Sequence, residues 1–60
     1  MWIITKHNGI FNTDNMVRID NQFGATMATI AGERIMISSK PVTRIIIDAL
    51  QVGKDFVEVE

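Results

Sequence analysis

Three observations predict an α+β domain: a series of short alternating segments, one stretch with the marks of a helix, and an excess of β-branched residues. Ten Ile, five Val and five Thr make up a third of the 60 residues, against a single Leu. Branching at Cβ suits a pleated surface better than a helical one, so sheet should dominate. The expected architecture is a single small domain spanning residues 1–60. It comprises an antiparallel β-meander of four or five short strands, one α-helix over about 41–52 packed across its apolar face, and a C-terminal strand.

Trp2-Ile3-Ile4-Thr5-Lys6 reads as the first strand and Ile10-Phe11-Asn12-Thr13 as its return. Asn8-Gly9 between them is a strong hairpin signal, because both residues tolerate positive φ. Asp14-Asn15 offers a further turn or bulge. In Met16-Val17-Arg18-Ile19-Asp20 the apolar and charged residues alternate, so Val17 and Ile19 should face the core with Arg18 and Asp20 outward. Asn21-Gln22-Phe23-Gly24 is turn chemistry with one aromatic in it. Ala25 to Ala31 is a strand of small residues that permits close approach by a helix or another chain. Gly32-Glu33 turns the chain into Arg34-Ile35-Met36-Ile37-Ser38, where Ile35 and Ile37 share a face.

The segment from Ser38 to Gly53 predicts the helix. Ser38 or Ser39 can cap it, since a hydroxyl accepts a hydrogen bond from a first-turn amide. Pro41 suits the first helical position, where its missing N–H loses nothing. Val42, Ile45, Ile46, Ala49 and Leu50 form one apolar stripe on a 3.6-residue period, and Gly53 can close the helix in a left-handed conformation. The triplet Ile45-Ile46-Ile47 favours strand by itself; the caps and the stripe outweigh it. In Phe56-Val57-Glu58-Val59-Glu60 the valines alternate with glutamates, a half-exposed last strand whose charged outer face discourages edge pairing.

Sixty residues bury too little surface to be more than marginally stable alone. There is no cysteine and one histidine, so neither a disulfide nor a structural zinc site of the usual ligand set can compensate. Dense packing or self-association remains, and an apolar content of 47% supports either. No apolar run is long enough to cross a membrane, and nothing at the amino terminus reads as a secretion signal. A cytoplasmic protein is expected. The net charge of −1 is weakly polarised: residues 1–44 carry five basic and three acidic groups, and residues 45–60 carry one and four.

No catalytic, cofactor-binding or metal-binding motif stands out. His7, beside Asn8-Gly9, reads as an exposed turn residue. The serines lack a nucleophile elbow, the carboxylates are scattered, and the four glycines form no phosphate-cradling run. The reading is a small non-enzymatic interaction or accessory protein, without cofactor, acting as a homo-oligomer through a sheet edge or an exposed apolar surface. Trp2, Met27 and Ile47 are the candidate protein contacts, Ile47 because it falls outside the helical stripe. The alternative is an RNA-binding homodimer, with Lys6, Arg18, Arg34 and Arg44 on phosphates.

Two resemblances accompany these readings. Met1-Trp2-Ile3-Ile4-Thr5-Lys6, followed by Gly9 and Ile10-Phe11-Asn12, resembles short uncharacterised proteins of Gram-positive bacteria and their phages that begin M-W-I. This implies a strand-rich first half, a helical second half and prophage derivation, with no activity attached. The opening is also similar to the M-L-I-L-T-R start of the carbon storage regulator family, and Ile35 to Pro41 is similar to its V-R-I-G-I run ending near A-P-K. That resemblance implies an intertwined dimer that binds RNA through the first strand and a basic segment before the helix. Lys6 corresponds to the basic residue of the first strand. Val42-Thr43-Arg44 stands where that family has a V-H-R-E-E-like motif, leaving Arg44 as the counterpart.

Overall fold

The computed structural model describes residues 1–60. The chain is α+β, with strands β1 (Trp2–Thr5), β2 (Ile10–Asn12), β3 (Met16–Gln22), β4 (Ala25–Ile30), β5 (Glu33–Ser38) and β6 (Phe56–Val59). The one helix, α1, spans Thr43–Gln51 and lies between β5 and β6 in the chain. The strands do not form one continuous meander. They divide into two three-stranded sheets, ordered β2-β1-β6 and β3-β4-β5. The second sheet is antiparallel throughout; in the first, β1 pairs antiparallel with β2 and parallel with β6.

The break between sheets falls at a 3-10 turn, Thr13–Asn15. Asn12 Oδ1 accepts a hydrogen bond from the Asp14 amide at 2.8 Å and starts this turn, while the Thr13 amide donates to Met1 O at 2.9 Å. Those local bonds take the chain out of the first sheet, so β3 begins a new one. The β1–β2 connection also differs from the expected two-residue turn. Only Gly9 has positive φ, +97°, and the loop runs from Lys6 to Gly9. Asn8 serves a tertiary purpose: its side-chain amide donates to Ile37 O at 3.0 Å, joining the first sheet to β5.

Two bulges set which residues face inward. In β3 the register shifts between Met16 and Arg18. A bulge inserts one unpaired residue and reverses the alternation before it. Val17 is therefore turned outward, 80% exposed, contrary to the expected sharing of a face with Ile19; Met16 packs inward with Ile19 instead. In β5 the shift between Thr26 and Met27 leaves both Ile37 and Ser38 buried. The two hairpins of this sheet turn at Phe23-Gly24 and Ala31-Gly32, all four residues with positive φ.

The helix begins later than expected, and neither Ser38 nor Ser39 caps it. Val42 is the N-cap and no side chain of the flanking segment bonds there; Ser38 Oγ accepts from the Lys40 amide at 3.1 Å and fixes the preceding turn. Pro41 precedes the cap. The capping group comes from β4: the buried Thr26 hydroxyl accepts from the Val42 amide and donates to Lys40 O, both at 2.8 Å. With Lys40 O occupied, the first helical acceptor is Val42 O, which receives the Ile46 amide at 3.2 Å. The other end matches expectation. Gly53 has φ +76°, its amide donates to Leu50 O, and the Lys54 amide donates to Ala49 O, the two bonds of a Schellman closure.

One core joins every layer: Ile3 of β1, Val57 of β6, Ala28 of β4, Ile37 of β5, and Val42, Ile46 and Ala49 from the cap and the helix. The helical stripe is narrower than the expected one, since Ile45 and Leu50 are exposed. Ile47, expected outside the stripe, is half-buried.

Replacing Thr26 by Val conserves shape but removes the hydroxyl that bridges the two groups, leaving the Val42 amide and Lys40 O only their mutual hydrogen bond of 3.0 Å. Urea denaturation should show a loss of about 1 kcal/mol, the net worth of a hydrogen bond whose partners keep another one.

Candidate functional site

The first sheet has two unlike faces. Ile3 and Val57 point into the core, so alternation along β1 and β6 turns Trp2, Ile4, Phe56 and Glu58 outward. Trp2 lies opposite Phe56 on one side and Asn12 on the other, and Ile4 lies opposite Ile10. The register thus gathers Trp2, Ile4, Ile10 and Phe56 around one shallow depression with a wholly apolar lining. Trp2 is 51% exposed, Ile10 63% and Phe56 55%. Taking 150–250 Å² for a fully buried aromatic, the half-exposed rings and isoleucines display roughly 300–400 Å². That is the scale of the largest apolar patch on a typical monomer, about 300–600 Å².

This display is not a sign of loose packing. The radius of gyration is 10.3 Å, against about 10.4 Å from the scaling for compact chains of this length. A compact fold therefore holds an apolar face to solvent.

The expected protein contacts do not converge. Trp2 belongs to the apolar face; Met27 is half-buried on the middle strand of the second sheet, opposite Asp20 and Met36; Ile47 is half-buried on the helix. Trp2 gains Ile4, Ile10 and Phe56 as neighbours instead. Sequence alternation could not single these out, because Trp2-Ile3-Ile4 is apolar at every position and Phe56 is brought alongside only by the parallel pairing of the two ends of the chain.

The four residues expected on phosphates are also separated. Arg18 and Arg34 lie on the outward side of the second sheet, both directed at Asp20 Oδ2, at 3.7 and 2.8 Å. Arg34 donates further to Gln22 Oε1. Arg44 is paired with Asp48 one helical turn on, at 3.4 Å. Lys6 lies in the β1–β2 loop and is the one cation of the four outside an ion pair. Three of the positive charges thus share two carboxylates within the chain, Asp20 and Asp48. His7 is exposed in that same loop. No three His, Asp or Glu side chains come together as a metal-binding group, and no helix is long and apolar enough to cross a membrane.

Phe23 stands apart from these clusters. At the tip of the β3–β4 hairpin it is 98% exposed and has φ +52°, in the left-handed region. The ring makes almost no contact that offsets the strain of this conformation.

No family model matches the chain, and comparison with curated proteins and with solved structures likewise finds no match.

Left-handed backbone costs a residue with a β-carbon roughly 1–2 kcal/mol, and Asn tolerates it best. Phe23→Asn should therefore raise the urea midpoint, by about 1 kcal/mol in stability, with no change in the slope of the transition.

Proposed function

We propose that this protein is a small non-enzymatic interaction or accessory protein of prophage derivation that works as a homo-oligomer, with the outer face of the β2-β1-β6 sheet as its contact surface. One observation carries the reading: an exposed depression lined only by Trp2, Ile4, Ile10 and Phe56. Aromatic groups set among aliphatic ones, with a charged residue at the rim as Glu58 stands beside Ile4, are the usual centre of a protein contact. The occupant we assign is a second copy of the chain. A domain of 60 residues gains little stability from its own core, and covering this face adds apolar burial that the monomer lacks.

The RNA-binding alternative finds less support. Arg18, Arg34 and Arg44 would have to exchange Asp20 and Asp48 for phosphates, and Lys6 lies in the β1–β2 loop, off the sheet that carries the two strand arginines.

Trp2 is the only tryptophan, so its fluorescence reports the face directly. As protein concentration rises, emission should move to shorter wavelength while light scattering shows a mass above the 6.8 kDa of one chain. Ile10→Lys should abolish the shift. Emission and mass that stay constant over the whole range would sink the reading.

A further inference from the structure

Phe23 is the most exposed large apolar side chain of the fold, and the turn that carries it does not call for a ring. The two hairpins of the second sheet have the same form. Gln22 pairs with Ala25 around Phe23-Gly24, and Ile30 pairs with Glu33 around Ala31-Gly32. In both, the first turn residue has φ +52° and the second is a glycine, at +80° or +82°, the two positive values of a type I′ turn. Ala31 meets that backbone demand with a single methyl group. Phe23 meets it with an aromatic ring that is 98% exposed and gains no packing in return. Strain held at such a position points to a contact outside the monomer.

The fold holds one place suited to such a ring. The depression of Trp2, Ile4, Ile10 and Phe56 is wholly apolar, and its roughly 300–400 Å² exceed the 150–250 Å² or so of one aromatic side chain. Phe23 does not fill the depression of its own chain, since its ring is in solvent. The surroundings match as well. The residues flanking the ring, Asn21, Gln22, Gly24 and Ala25, bring no charge to desolvate. The amides of Phe23 and Gly24 take part in no hydrogen bond of the chain, so the tip offers two successive donors. Glu58 stands beside Ile4 at the rim of the depression, exposed and outside every ion pair of the monomer. A carboxylate accepts from backbone amides. Apolar centre thus meets apolar centre, and donors meet an acceptor at the edge.

We infer that the β3–β4 hairpin of one copy docks on the outer face of the β2-β1-β6 sheet of another. The Phe23 ring occupies the depression of Trp2, Ile4, Ile10 and Phe56, with the free turn amides towards Glu58. The inference rests on the homo-oligomer reading above and names what enters the face. Ring and depression together bury roughly 300–500 Å², below the approximately 1,000 Å² of a stable interface. The contact is therefore weak and dissociates on dilution. It joins two different surfaces, so it is heterologous, and each half can be removed without the other.

Two variants do this. Phe23→Asn removes the ring and keeps the depression; Ile10→Lys spoils the depression and keeps the ring. Light scattering on a sizing column and Trp2 emission follow each over a concentration series in which the wild type rises above the mass of one chain. Both variants should associate at least tenfold more weakly and keep the emission of dilute protein. Unfolding does not explain such a loss in Phe23→Asn, whose urea midpoint should rise; circular dichroism checks the fold of Ile10→Lys. Mixed in equal amounts, the variants supply one intact hairpin and one intact depression, and the mass should return to that of a pair. Wild-type association by Phe23→Asn, or a mixture no heavier than its parts, overturns the docking. If Ile10→Lys alone is monomeric in those same experiments, the face remains a contact between copies and another element fills it. A wild type that is monomeric at every concentration overturns both readings.

Discussion

The buried Thr26 hydroxyl is the interaction on which the arrangement of layers depends. It is held on the middle strand of the second sheet and bonds both ways into the segment that leads to the helix, at Lys40 O and the Val42 amide. A hydroxyl with one donor and two acceptor sites is suited to bridging a carbonyl and an amide at once. Lys40 O is taken there, by the hydroxyl and by the Val42 amide, and the helix starts at Thr43 with its first turn tied to β4. Beside it, Asn21 Oδ1 accepts from the Thr43 hydroxyl at 2.5 Å, a second link from sheet to helix. The helix axis is therefore set by polar contacts, and Val42, Ile46 and Ala49 are presented to the core as a consequence.

From that fixed helix the division of the chain follows. The first sheet is assembled from the two ends of the sequence, with β1 beside β6, and the helix supplies the return path between β5 and β6. Parallel pairing requires such a crossover. One side of β1 and β6 is then buried under Ile46 and Ala49, and the other side has no layer above it. A two-layer domain of this size cannot cover both faces of each sheet. The unmatched face is apolar here, whereas on the second sheet Met27 and Met36 are flanked by Arg18, Asp20, Gln22 and Arg34, with Arg34 bonded to Asp20 Oδ2 and Gln22 Oε1. The same geometry thus gives one face laced with charged residues and one apolar face in want of a cover. That contrast is the physical basis for the proposed role.

The edge strands are managed unequally as well. At β5 the carbonyl of Ile37 is taken by Asn8. At β3 the bulge at Val17 interrupts the ladder, and such bulges bend an edge away from further pairing. The edge of β6 carries neither device.

Local chemistry in the sequence was enough to determine the strands from Trp2 to Ser38 to within a residue or two, the helix with its closing Gly53, and the last strand with Val57 inward. Alternation, turn residues and a helical period act over a few neighbours, and those signals are written in consecutive residues. The start of the helix was not among them, because its cap lies 16 positions away on β4, and the serines next to it were the nearer but unused candidates. Nor was the split into two sheets, which turns on a short 3-10 segment, or the face of Val17, which one bulged residue reverses. The apolar face was visible only as Trp2. Its neighbours Ile4, Ile10 and Phe56 are gathered by pairing between distant segments, and register, unlike periodicity, is decided by the whole fold.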